Sequence, residues 1–228
     1  MALNKQQIRD FVRSHMDIEI EDLPDAVLDV FIAEGFHRIV RAEKRWPFYV
    51  KRWSISTVAD TDEYNLDTVA ADIREIASIK GERYTLKWIG SDTADVLWPV
   101  DGTHTAEPTH WVVEDRTLLL YPSPGEAYDL VVRGYRIPAD FGAAAAGDEP
   151  DLPLDLHNTV AVWALAKAYL QQEDPEMAAV YERQFADELN LMRRRLNDTP
   201  AAQPLIAGGG HYGRRSIGMR FDGGSVIF

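Results

Sequence analysis

The chain reads as an α+β protein: a discontinuous antiparallel helical bundle with an inserted small antiparallel β-sheet domain and an extended C-terminal arm. Three observations predict this. Apolar residues recur at spacings of three and four near the N-terminus and again beyond residue 150. Between those stretches, short runs rich in Val, Ile, Tyr and Trp alternate with turn residues. From Asp198 onward the chain follows neither pattern.

Residues 1–47 supply the N-terminal helices of the bundle. Ile8, Phe11 and Val12 form a short apolar stripe. A second helix opens at Leu23-Pro24-Asp25, where proline suits the first turn and the acid meets the positive end of the helix dipole. Its apolar face carries Val27, Leu28, Phe31, Ile32, Phe36, Ile39 and Val40. Lys44 and Arg45 suit its C-terminal end, and Trp46-Pro47 stops it.

Residues 48–147 form the inserted β domain. The expected strands lie in Tyr49–Val58, Ile73–Lys80, Tyr84–Ile89, His110–Glu114, Thr117–Tyr121 and Tyr128–Ile137. Gly81-Glu82-Arg83 and Glu114-Asp115-Arg116 are tight connections between paired strands. Tyr121-Pro122-Ser123-Pro124-Gly125 is a firm break, because two prolines cannot both serve a ladder. Gly142 to Gly147 reads as a small-residue linker.

Residues 148–197 form a C-terminal helical hairpin. One helix carries Val160, Trp163, Leu165, Ala168 and Tyr169, and a second carries Val180, Phe185, Leu189, Met192 and Leu196. Asp174-Pro175 separates them, since the residue before a proline disfavours the helical conformation. Neither helical stretch can bury its apolar stripe alone, so the two pack together around the insertion.

Residues 198–228 form the arm. Glycines punctuate it, yet it carries Tyr212, Ile217, Met219, Phe221, Val226, Ile227 and Phe228. With Arg214, Arg215 and Arg220 against two aspartates its net charge is +1, which leaves −14 on the rest of a chain at −13. A purely solvated tail lacks so many large apolar residues, so the arm is built to dock on a partner.

Composition narrows the function. Hydrophobic residues make up 46%, enough for a sizeable core without staples. With no cysteine, disulfides, thiolate metal sites and thiol nucleophiles are excluded. The apolar run from Val160 to Leu170 is broken by Lys167 and too short to span a bilayer, and Met1 to Asp10 lacks the apolar core of a signal peptide, so no membrane role is expected. The acidic balance argues against a surface that grips nucleic acid.

Several motifs carry a resemblance. The helices end in Arg45-Trp46-Pro47-Phe48-Tyr49, and the insertion contains Leu118-Leu119-Leu120-Tyr121-Pro122-Ser123-Pro124. Tyr135-Arg136-Ile137-Pro138, Asp148-Glu149-Pro150-Asp151-Leu152-Pro153 and Ala164-Leu165-Ala166-Lys167-Ala168-Tyr169 follow, then Glu173-Asp174-Pro175-Glu176. From about Leu23 to Leu196 this layout resembles the head-to-tail connector adaptors of tailed bacteriophages. The resemblance implies a dodecameric ring without catalytic role, made in the bacterial host cytoplasm and built into the virion neck. It implies the portal protein above, a tail nozzle or tail-tube protein below, ring neighbours at the sides, and transient passage of double-stranded DNA. Asp198 to Phe228 would then be the portal-binding arm, with Tyr212, Arg214, Arg215, Ile217, Met219, Arg220, Phe221, Val226, Ile227 and Phe228 as contacts. The acidic charge would sit either on the channel wall, where like charge keeps DNA from adhering, or on the outer rim. Two alternatives remain: another neck protein, such as a tail terminator or stopper, and a non-viral helical scaffold.

The sharper chemical readings are weaker. His104 and His110, near Asp101 and Glu107, offer nitrogen and oxygen donors, but their spacing matches no metal motif and they read as loop-surface residues. Thirty-seven acids guarantee chance carboxylate pairs, and Asp151 and Asp155 read as helix-start residues. His157 reads as a satisfied or solvent-facing histidine rather than a pH gate. Arg193-Arg194-Arg195 meets a helix C-terminal dipole, with contact to portal acids or DNA as the other reading. The six tryptophans follow no period and read mostly as core or junction residues. No base, nucleophile and orienting group come together, so neither catalytic residues, metal nor cofactor is expected.

Overall fold

A computed structural model describes residues 2–98 and 105–197. Among these residues six α-helices and nine strands follow in the order α1 (Lys5–Met16), α2 (Asp25–Ala42), β1 (Val50–Ser56), β2 (Glu63–Asn65), α3 (Leu66–Val69), β3 (Ile73–Lys80), β4 (Thr85–Trp88), α4 (Ser91–Leu97), β5 (Thr105–Ala106), β6 (His110–Glu114), β7 (Thr117–Tyr121), β8 (Ser123–Pro124), β9 (Asp129–Arg136), α5 (Leu154–Gln171) and α6 (Pro175–Asn197). The expected α+β class holds, with the sheet inserted between the two helical stretches. The arm lies outside the described residues.

Each helix follows from local chemistry. Asn4 caps α1: its side chain accepts from the Gln7 N–H at 2.8 Å, while the Gln7 side chain accepts from the Asn4 N–H at 3.0 Å. Asp17 ends α1 in the left-handed conformation. Pro24 stands at the N-cap of α2 rather than inside its first turn, and α2 ends at Ala42, so Lys44 and Arg45 lie beyond it. There they turn to Glu75 on β3.

The bundle is organised around α5, whose middle from Thr159 to Ala166 is buried on every side; Leu156, Val160, Trp163, Ala164, Leu165 and Ala168 are all at most 3% exposed. Helices α1, α2 and α6 all pack against it, so the first helices and the hairpin share one core. Full burial of each large apolar side chain contributes about 1.5–3 kcal/mol. Helix α2 approaches α5 closely because Gly35 lacks a side chain; a Cβ there would lie 3.0 Å from Trp163 Cβ. Polar groups tie α1 to α2: Arg9 donates to both oxygens of Asp29, at 2.8 and 2.7 Å, and Arg13 reaches Asp25 at 2.6 Å.

The segment expected as a linker is pinned. Buried Lys5 donates to the carbonyls of Gly142 and Ala144, each at 3.1 Å, and the Gln6 N–H donates to Ala146 O at 2.8 Å. Phe141 inserts into the helical core. An ammonium buried in this way has to find acceptors, and these carbonyls supply them.

The seven-stranded sheet has the order β1-β9-β3-β4-β6-β7-β2. All expected strands are present and most pairs are antiparallel. One correction applies: β4 and β6 run parallel, through Lys87–His110 and Trp88–Trp111. The long connection from β4 through α4 returns the chain in the same direction, which a tight hairpin cannot do. A second correction concerns the proline break, where Ser123 and Pro124 pair with Thr105 and Ala106 as a short parallel ladder. Pro124 lies at the end of that ladder, the kind of edge position proline tolerates.

The sheet has its own core, including Trp53, Ile79, Trp111, Leu118, Leu120, Leu130 and Val132. The β6–β7 turn places Asp115 and Arg116 at positive φ, as a two-residue hairpin twist requires. Arg116 is held there by Asp67 at 2.6 Å and by Ile73 O at 2.8 Å. Strand β9 crosses β3 at an irregularity where Gly134 is obligatory, because a Cβ would lie 2.2 Å from Glu75 O.

Candidate interaction surface

The sheet does not close evenly. Strand β3 pairs with β9 along its length but with β4 only at Ile79 and Lys80. Strand β4 in turn meets β6 only near His110 and Trp111. The first half of β3 and the second half of β6 therefore diverge. A groove of about 620 Å³ opens between them, lined by Arg45, Leu66, Ile73, Arg74, Glu75, Ile76, Ala77, Trp88, Trp111, Val113 and Arg116.

Its lining combines buried Leu66, Ile73 and Trp111 with exposed Arg45 and Arg74. Trp88 is 66% exposed and Val113 38% exposed, large apolar surfaces that the described residues leave uncovered. Three arginines stand against one glutamate. Arg45 donates to Glu75 Oε1 from Nε at 3.1 Å and from a terminal nitrogen at 2.6 Å. The Lys44 ammonium lies 3.4 Å from Glu75 Oε2, although that oxygen has no partner in hydrogen-bond geometry. Burial pushes the Glu75 carboxyl up, but Arg45 and Lys44 outweigh it and hold it below its ordinary range. The buried Trp111 indole N–H has no acceptor among the described residues.

The tryptophans divide as their surroundings dictate. Trp46, Trp53, Trp111 and Trp163 are buried, whereas Trp98 stacks on Tyr121 with ring centroids 5.5 Å apart. Trp46 Nε1 donates to Ile39 O at 2.9 Å and closes the helical core beneath α2. Trp163 is flanked by two cations, with Arg38 3.9 Å and Lys167 4.5 Å from its ring centre.

The sequence-predicted contacts Tyr212, Arg214, Arg215, Ile217, Met219, Arg220, Phe221, Val226, Ile227 and Phe228 lie outside the described residues, as do Asp101 and His104. His110 stands beside Thr109, its Nδ1 2.8 Å from the hydroxyl oxygen, and burial lowers its pKa. Among the described residues no three of His, Asp and Glu come together as a metal site. His157 is buried; its Nδ1 accepts from the Leu3 N–H at 3.1 Å and Nε2 lies 3.1 Å from Leu152 O, so it anchors the N-terminal segment. Asp151 is not a helix cap: it accepts both terminal nitrogens of Arg136 and the Ala139 N–H. Asp155 does sit in the first turn of α5, and Arg194 and Arg195 in the last turn of α6.

Sequence reasoning missed the groove as a unit. Its residues come from stretches read separately as a helix end, strands and a tight connection, and nothing in those readings joined them. Among the described residues no helix is long and apolar enough to cross a membrane.

The groove, the four-helix core and the inserted sheet belong to a chain with a recognisable family. A model of the SU10 adaptor protein family matches residues 4–206, which covers both helical stretches and the whole sheet. No curated protein matches the chain. With most of its length matched, the chain belongs to the SU10 adaptor protein family, a family of phage head–tail adaptors.

Proposed function

We propose that the chain is a non-catalytic structural protein of the virion neck that assembles into a ring, twelve-fold by analogy with connector adaptors, between the portal and the tail. The observation that carries this reading is the family match over residues 4–206. The ring would serve as a conduit for genome DNA. The net charge of −14 outside the arm favours sliding over adhesion where acids face that channel. Residues 198–228 serve as the portal-docking arm, and repetition of such an arm around a ring multiplies its affinity. The helical bundle supports the assignment, because one core built from sequence-distant helices gives a rigid block suited to side-by-side packing.

The test is electron microscopy of the purified protein mixed with the portal of its phage, alongside mass measurement of the protein alone. Ring density beneath the portal, with chain from residues 198–228 traced into it, is the expected result. An intact portal left bare overturns the adaptor reading and favours a partner-binding scaffold.

A further inference from the structure

The groove between β3 and β6 has a complement elsewhere on the molecule. The loop joining α1 to α2 reads Asp17-Ile18-Glu19-Ile20-Glu21-Asp22, and its four acids are all exposed. Ile20 projects from among them at 51% exposure, although Ile18 beside it packs on the helical core. None of the four carboxylates has an ion-pair partner among the described residues, whereas Asp25 and Asp29 just beyond are paired with Arg9 and Arg13. The loop presents four uncompensated carboxylates around an apolar tip, and the groove presents an exposed tryptophan among three arginines, charge of the opposite sign.

Geometry prevents a copy from filling its own groove. The loop precedes α2, and Arg45 follows it by three residues. Eighteen residues of α-helix separate the two by about 27 Å at 1.5 Å per residue. A donor at one end of a rigid helix and an acceptor at the other make a heterologous contact, which repeats from copy to copy and closes into a ring when its rotation allows. We infer that the groove receives the α1–α2 loop of a second copy of this chain, with Ile20 seated against Trp88 and the Glu19, Glu21 and Asp22 carboxylates facing Arg45, Arg74 and Arg116.

The groove favours an acidic protein segment over nucleic acid because its cations stand in a chain whose overall charge repels phosphate. Arg74 matters most. It is exposed in the groove lining and, unlike Arg45 and Arg116, holds no ion pair among the described residues. A second acidic element, α4, exposes Val96 and Leu97 beside Asp92 and Asp95, but it begins only three residues after Trp88 in the chain. It therefore lacks the long separation that a head-to-tail contact uses.

The inference rests on the ring reading, and its test separates the two. The chain has no cysteine, so introduced thiols are unique. One preparation carries Ile20→Cys and another Val113→Cys. They are mixed at high concentration, with and without portal, and oxidised mildly. The expected product is the mixed disulfide in excess over either symmetric one, since the bond needs Cα atoms within about 7 Å. In parallel, Arg74→Glu should weaken self-association at least tenfold by mass photometry, and Glu21→Arg in the same chain should restore it. Unchanged circular dichroism confirms that this exposed-site variant folds. Rings that form without the mixed disulfide and ignore Arg74→Glu overturn the inference but leave the ring reading standing. The same holds if reversal of Asp92 and Asp95, rather than of the loop acids, abolishes assembly. A chain that stays monomeric even with portal overturns both.

Discussion

Arg136, the last residue of β9, grips Asp151 in the lead-in to α5 with both terminal guanidinium nitrogens. The pair joins the sheet to the central helix. Tyr49 reinforces it, donating its hydroxyl to Asp151 O at 2.9 Å while the Arg136 guanidinium lies 5.1 Å from its ring centre. Burial and the nearby Asp151 raise the Tyr49 pKa well above its ordinary value. Paired hydrogen bonds between charged groups, partly shielded from water, contribute about 1.5–3 kcal/mol. Arg136→Ala should therefore lower the thermal midpoint by about 3–12 °C, at about 2–4 °C per kcal/mol for a chain of this size. Arg136→Lys should recover only part of that, because a single ammonium cannot make the forked contact. Calorimetry of the three proteins checks the order.

Acid should unfold the protein through a defined set of carboxyls. Asp151 is held below its ordinary value of 3.8 by its Arg136 hydrogen bonds, and Asp72 by those from Lys51 and Trp53. Burial pushes Asp29 up, but Arg9 and Lys5 outweigh it and the carboxyl again lies low. A depressed carboxyl adds stability that is fully present above its unfolded pKa and disappears as pH falls through its folded one. The thermal midpoint should hold steady from pH 7 to about pH 5 and drop below about pH 4. Asp151→Asn should start lower and fall less steeply, which a pH series of melts would show.

Gly35 tests the close approach of α2 to α5. Alanine would gain about 1 kcal/mol in helix propensity. Its Cβ would meet Trp163 Cβ and Cδ1, both at 3.0 Å, and overpacking of that kind costs about 1–3 kcal/mol. The neighbouring atoms include a Cβ fixed to the backbone of the most buried helix, so packing wins. Gly35→Ala should destabilise by about 1 kcal/mol and Gly35→Val by more, measured by urea titration.

Much of the fold was legible because its signals are local. The six strands read from Val, Ile, Tyr and Trp runs all form, and α6 opens at Pro175 as expected, whereas α2 already ends at Ala42, short of Trp46-Pro47. What escaped depends on distant partners. The parallel pairing of β4 with β6 is decided by where the chain returns after α4, which no run of residues encodes. Gly142 to Gly147 has a linker's composition, yet Lys5, over 130 residues away in sequence, fixes it. Asp151 sits where a helix cap would, but an arginine on β9 claims it. The groove was invisible for the same reason, since Arg45, Arg74, Trp88 and Arg116 converge only through sheet topology.

The arm supplies the last prediction. Its large apolar residues would be a liability in a solvated tail, and its charge of +1 is opposite in sign to the rest of the chain. Interface energy concentrates in a few aromatic and arginine anchors. Replacing Tyr212 and Phe221 together with alanine should therefore weaken binding to purified portal rings by about tenfold or more. Deleting Asp198 to Phe228 should abolish that binding and leave a folded protein, because the described residues already hold a helical and a sheet core. Surface plasmon resonance on immobilised portal measures both. If charge reversal of Arg214 and Arg215 does far more damage than the aromatic changes, electrostatics and not apolar docking holds the arm. If the deletion variant binds as tightly as the full chain, the portal-binding surface lies on the body.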